Sequence, residues 1–200
     1  MNQQTCDLAF GAYYNVWGNA RHPTVEPPLT QNAKDYLFKE HKDVRTSTIS
    51  FRAAKKNDFL FNEELNKHQD WGFLIENTEK NCLWAYDPKP GVELYVARDE
   101  RMSGSMNLKA SEVFISTYLH NKEYITGFCS RLFWLSIITN NKEAYYFYSS
   151  KMSFDYLDRR AKIAKIVGDV AYKTHMFRPY HFLMCQVREF LINRGLSKKQ

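Results

Sequence analysis

The apolar positions change period along the chain. In TSTISFRA, from residue 46, Ile49, Phe51 and Ala53 alternate with Thr48, Ser50 and Arg52, the two-residue period of a half-buried strand. Before it, the proline-rich stretch HPTVEPP predicts a loop. Thr30 as cap, with Ala33, Tyr36, Leu37 and Glu40 at helical spacing, then predicts a helix of about three turns. Lys55, Lys56, Asn57 and Asp58 supply a turn, and FLFNEEL reads as a further strand. The segment WGFLIENTEKNCLWAYDPKPGVELYVAR holds three short apolar runs separated by Asn-Thr-Glu-Lys-Asn and Asp-Pro-Lys-Pro-Gly, which predicts an antiparallel meander over residues 71–98. Asn77 and Asn81 suit its first reversal, and Pro88, Pro90 and Gly91 block the ladder at the second.

The second half changes texture. Residues 98–109, with Ser103-Gly104-Ser105, read as a polar loop, after which Ser111 is positioned to cap a helix running through Phe114, Tyr118 and Ile125. GFCSRLFWLSII is apolar around its circumference and predicts a central helix that Asn140 and Asn141 end. EAYYFYSS fits neither period. Ser153 is positioned to cap FDYLDRRAKIAKIVGD, and YHFLMCQVREFLINRG gives a last helix with Gly195 as its stop. The expected fold class is α+β, with an antiparallel sheet of about four to six strands in the N-terminal and middle part, packed by helices, and a mainly helical C-terminal part. No internal repeat is visible.

At 200 residues, the chain suits a single domain, with residues 121–200 as a helical extension. A composition 44% hydrophobic and 25% charged, with 8 Gly and 6 Pro, excludes the disordered and fibrous classes. The apolar window at 132–139 is too short for a spanning helix, and Asp7 interrupts any secretory leader, so a cytoplasmic protein with no membrane partner is expected. Cys6, Cys82, Cys129 and Cys185 form no CxxC pair, so they read as free thiols.

Charge is divided. Residues 1–100 carry 12 basic against 15 acidic side chains, while 101–200 carry 16 against 7. A basic partner suits the acidic stretch between Asp58 and Glu100, and phosphate suits the basic stretch after Lys151. For both, a solvated surface is the ordinary alternative.

Candidate chemistry is thin. His120 with Cys129, and His181 with Cys185, are the thiol–imidazole pairs; the second pair shares a helix face, but a third or fourth metal ligand has no place in the spacing. Neither a P-loop nor GxGxxG occurs, Ser103-Gly104-Ser105 is no nucleophile elbow, and the adjacent acids Glu63-Glu64 and Asp99-Glu100 do not face each other as an acid/base pair would. The expectation is no catalytic residue, no metal and no cofactor, hence a non-enzyme, although an enzyme of unrecognised class remains the third reading. Tyr145, Tyr146, Phe147 and Tyr148 beside a basic region make nucleic acid the alternative partner, with Arg159, Arg160, Lys162 and Lys165 as its contacts.

Trp71-Gly72-Phe73-Leu74-Ile75-Glu76-Asn77, then Cys82-Leu83-Trp84-Ala85-Tyr86-Asp87-Pro88, then Val92, and then Ser111, Phe114 and Leu119 stand in an order that resembles the SUKH superfamily over residues 27–120. Pro28-Leu29 and Tyr36-Leu37 are similar to that family's N-terminal helix. The family resembles fungal cell-wall assembly regulators, and many bacterial members are immunity proteins. The resemblance implies an inhibitor that occludes a cognate protein toxin of a polymorphic or contact-dependent system, with no turnover. On that reading the rim contacts are Glu76, Glu79, Asp87, Glu93, Asp99 and Glu100, and Trp84 or Tyr86 is the anchor, against the alternative that the tryptophans are core.

Overall fold

A computed structural model gives the fold and describes residues 6–17, 19–26, 32–55, 57–95 and 106–193. The fold class is α+β, with a four-stranded sheet in the first part and a mostly helical second part. The chain divides into two compact units, Met1–His120 and Asn121–Gln200.

The first unit is built on the strand β1 (Leu8–Trp17). Its aromatic and branched residues alternate, so that Leu8, Phe10 and Ala12 are buried, and the phase then shifts to bury Tyr13 and Val16. β1 pairs antiparallel with β2 (Ala20–Thr24) and with β3 (Ser50–Phe51), and parallel with β4 (Trp84–Tyr95). This central strand lies in an N-terminal segment for which the sequence pattern predicts no element.

The meander expected over residues 71–98 does not form. Its first run is the helix α2 (Gln69–Glu79), in which Phe73, Leu74 and Ile75 are all but fully buried. A short apolar run enclosed on every side looks the same as a buried strand or a buried helix, so alternation could not separate them. Asn81, at φ 58, makes the left-handed exit that its side chain tolerates, but it ends a helix there. The second and third runs are one strand. Between Gly11↔Asp87 and Tyr13↔Val92 the register slips, so Pro88 to Gly91 bulge out of β4 without reversing it. The prolines do interrupt the ladder, as their missing N–H requires, but the chain resumes on the same neighbour.

Other boundaries move for local reasons. α1 (Ala33–Phe38) has six residues, and Asn32 caps it by accepting from the Lys34 amide at 2.7 Å. Thr30 lies outside the described residues. In TSTISFRA only Ser50 and Phe51 pair, because Thr46–Thr48 is a single 3-10 turn; FLFNEEL forms no regular element. α3 (Leu108–Tyr118) starts earlier than expected, capped by Asn107, which leaves Ser111 inside the helix. The core gathers Leu8, Phe59 and Phe73, with Ile49, Phe61, Cys82 and Trp84 packed against them.

The second unit comprises α4 (Lys122–Ile138), α5 (Lys142–Lys151), α6 (Arg159–Lys173) and α7 (Phe177–Asn193). The two asparagines that end α4 divide the work: Asn140 takes the left-handed turn at φ 53, and Asn141 caps α5 by accepting from the Ala144 amide at 2.9 Å. The ambiguous EAYYFYSS is thus helical. Asp158, not Ser153, caps α6, accepting from the Ala161 amide at 2.7 Å. Gly195 lies outside the described residues.

Candidate functional site

The acidic residues expected to grip a partner lie on two different elements. Glu76 and Glu79 lie on α2, whereas Asp87 and Glu93 lie on β4. Each is already engaged. Glu76 accepts from the Tyr118 hydroxyl, Glu79 pairs with Lys34 at 2.7 Å, Asp87 accepts from the Lys89 amide at 2.9 Å, and Glu93 pairs with Arg21 and accepts from the Tyr95 hydroxyl. Burial, with the Glu76 carboxylate beside it, pushes the Tyr118 phenol up to about 12. Asp99 and Glu100 lie outside the described residues. Trp84 and Tyr86, expected as anchors, pack inward: their rings meet Phe10 edge-on at 5.6 and 5.3 Å.

The thiols of the two thiol–imidazole pairs sit in different surroundings. Burial pushes the Cys129 thiol up to about 12, which keeps it un-ionised. His181 Nδ1 lies 2.7 Å from the Ile137 carbonyl and 3.7 Å from Cys185 Sγ, so the imidazole ties α7 to α4. Among the described residues no group of three His, Cys, Asp or Glu is arranged to hold a metal, and no helix is long and apolar enough to cross a membrane.

Two buried polar clusters had no signal in the sequence. In the first unit Asp43 accepts from the Trp71 indole N–H at 2.9 Å and pairs with Arg45 at 2.7 Å. Burial opposes the charge on Arg45, but Asp43 overrides it and holds the guanidinium above its ordinary pKa. Burial, reinforced by Asp43, pushes the Asp70 carboxyl up to about 6. His68, held at φ 65, stacks on Trp71 at 5.0 Å and meets Ser111 Oγ through Nε2 at 3.1 Å. With Ser111 wholly buried, that pair braces α2 against α3.

In the second unit Lys165 donates to Ser149 Oγ at 2.6 Å and to Asp169 at 2.9 Å, while Tyr145 and Ser149 both donate to Asp169. Burial works against the Asp169 charge, but these donors, Lys165 first, hold its pKa below the ordinary value. Lys165 is therefore spent on joining α6 to α5. Of the residues expected to contact nucleic acid, Arg159 and Arg160 are exposed, Lys162 is half-buried, and Lys165 is buried and not available to phosphate.

The sequence reading also missed an apolar surface. α6 turns Ala161, Ala164 and Gly168 inward, and leaves Ile163, Ile166, Val167 and Val170 between 45% and 57% exposed. Their spacing of three and four residues puts them on one stripe of the helix. α7 adjoins α6, with the Tyr180 hydroxyl donating to the Ala164 carbonyl at 2.8 Å, and exposes Leu183 and Val187. The signal was there in AKIAKIVGDVAY: two apolar stripes on one helix, one of alanines and glycine, the other of isoleucines and valines. Comparison with family models, curated proteins and solved structures finds no match for this chain.

Proposed function

We propose that the chain is a non-enzymatic protein-binding inhibitor of the toxin-immunity kind, and that it holds its partner through the exposed face of α6 and α7. The observation that supports this is the stripe Ile163, Ile166, Val167 and Val170 on α6, to which the adjoining α7 adds the exposed Leu183 and Val187. Four half-exposed branched side chains on one stripe of α6, with basic residues at its ends, make an apolar patch with a polar rim, the arrangement that marks an interaction site. Apolar side chains at the centre supply affinity, and the arginines at the start of α6 speed association. That the partner is a toxin is what the resemblance over residues 27–120 implies.

The test is co-expression with the protein encoded by the neighbouring gene. Restored growth, lost in Ile166→Glu and in Val170→Glu without a change in melting temperature, is the expected result. Failure to restore growth, restoration that both variants leave intact, or salt-sensitive retention on nucleic acid in place of a protein partner, each overturns it.

A further inference from the structure

We infer that the segment seated on α6 and α7 is an amphipathic helix whose apolar seam is flanked by acidic residues. This rests on the protein-binding reading above. Two features of the surface select the occupant. The first is its period. Positions 163, 166, 167 and 170 are related as i, i+3, i+4 and i+7, the spacing with which one helix accepts the ridge of another. The opposite side of α6 already serves this purpose, since Ala164 and Gly168 let α7 and Tyr145 of α5 come close. The outer stripe is thus a second helix-packing face on the same helix.

The second feature is the rim. α6 carries five basic residues and a single acid, Asp169, which Lys165 holds. Arg159 and Arg160 stand exposed at one end of the stripe and Lys173 at the other. A second copy of this chain would bring cations against cations, so self-association through this face is opposed by its own charge. An acidic helix reverses the sign of every one of those contacts. Glu189, exposed on α7, opposes an anionic bilayer, whereas the exposed Phe182, Leu183 and Phe190 of the same helix suit one, so vesicles form a separate arm of the experiment.

The experiment uses the full chain and two synthetic peptides of about five helical turns, alike in their leucine seam, one flanked by glutamates and the other by lysines, together with phosphatidylglycerol vesicles. The glutamate peptide is expected to bind about tenfold tighter than the lysine peptide, and more weakly as salt rises. Val170→Glu abolishes that binding, and Arg159→Glu with Arg160→Glu removes the preference; both variants lie on exposed positions. Equal binding of the two peptides, abolished by Val170→Glu, overturns the acidic partner and leaves the protein-binding reading standing. Vesicle binding stronger than either peptide, or a dimer in light scattering that Val170→Glu dissolves, overturns the inference in favour of lipid or of a second copy. Binding of no probe, by wild type and variants alike, overturns this inference and the docking face beneath it.

Discussion

The Trp71 indole donates a 2.9 Å hydrogen bond to the Asp43 carboxylate, 28 residues earlier in the chain. That bond fastens α2 to the segment following α1, and Asp43 serves Arg45 with its other oxygen. Asp43→Ala leaves a buried indole N–H and a half-buried guanidinium without their acceptor, a loss of ~1–3 kcal/mol. Asp43→Asn keeps an acceptor and loses less. Urea unfolding of the two variants checks the order.

Asp70 makes stability depend on pH in an unusual direction. Its folded pKa of about 6 lies above the ordinary 3.8, so between those values the folded chain holds a proton that the unfolded chain has released. Its contribution to stability therefore falls as pH rises through that window. Asp70→Asn is expected to exceed wild type by about 1–2 kcal/mol near neutral pH and to lose the advantage below pH ~4. Melting temperatures of both proteins across pH decide it, and a constant offset would refute the assignment.

Gly168 lies against the Tyr145 ring and hydroxyl, where an added methyl group would collide with both. Gly168→Ala should displace Tyr145, break its bond to Asp169 and lower stability by ~2 kcal/mol or more. Lys165→Met, which strips Asp169 of its cation, should also destabilise the second unit, whereas Arg159→Glu should leave it nearly unchanged. Thermal unfolding of the three variants separates the buried lysine from the exposed arginine.

Glu93 and Arg21 form an ion pair whose Arg21 side chain is 63% exposed. Glu93→Gln is expected to change stability by less than ~1 kcal/mol and, on the proposed function, to restore growth as wild type does. Loss of inhibition in that variant would return the acidic strand to the binding surface.

In the second unit α4, α6 and α7 were legible from local signals, whereas α5 was not, because EAYYFYSS fits neither period and Asn141, which caps it, reads only as the end of α4. Asn140 and Asn141 are adjacent and sit where one helix must end and the next must be capped. In the first unit the information is not local. Trp71 to Ile75 gives the same apolar run whether strand or helix, and what decides it is enclosure by Phe38, Phe114 and Leu65, which come from other parts of the chain. Asp87-Pro88-Lys89-Pro90-Gly91 does break a ladder; whether the chain then reverses or bulges depends on β1 lying alongside. The clusters around Asp43 and Lys165 join residues by contacts across the fold, with no spacing to betray them, but the double stripe of α6 was present in the sequence and went unread.

The sheet carries a consequence for the order of events at birth. β1 leaves the ribosome before its parallel neighbour β4, which is translated roughly 70 residues afterwards, a separation that slows closure. β2 follows almost at once and can zip onto the end of β1, but the flank from Leu8 to Val16 stays open until β4 arrives. The nascent chain is therefore most vulnerable to misassembly during that interval, before α2 and β4 have emerged together and the central strand can be enclosed.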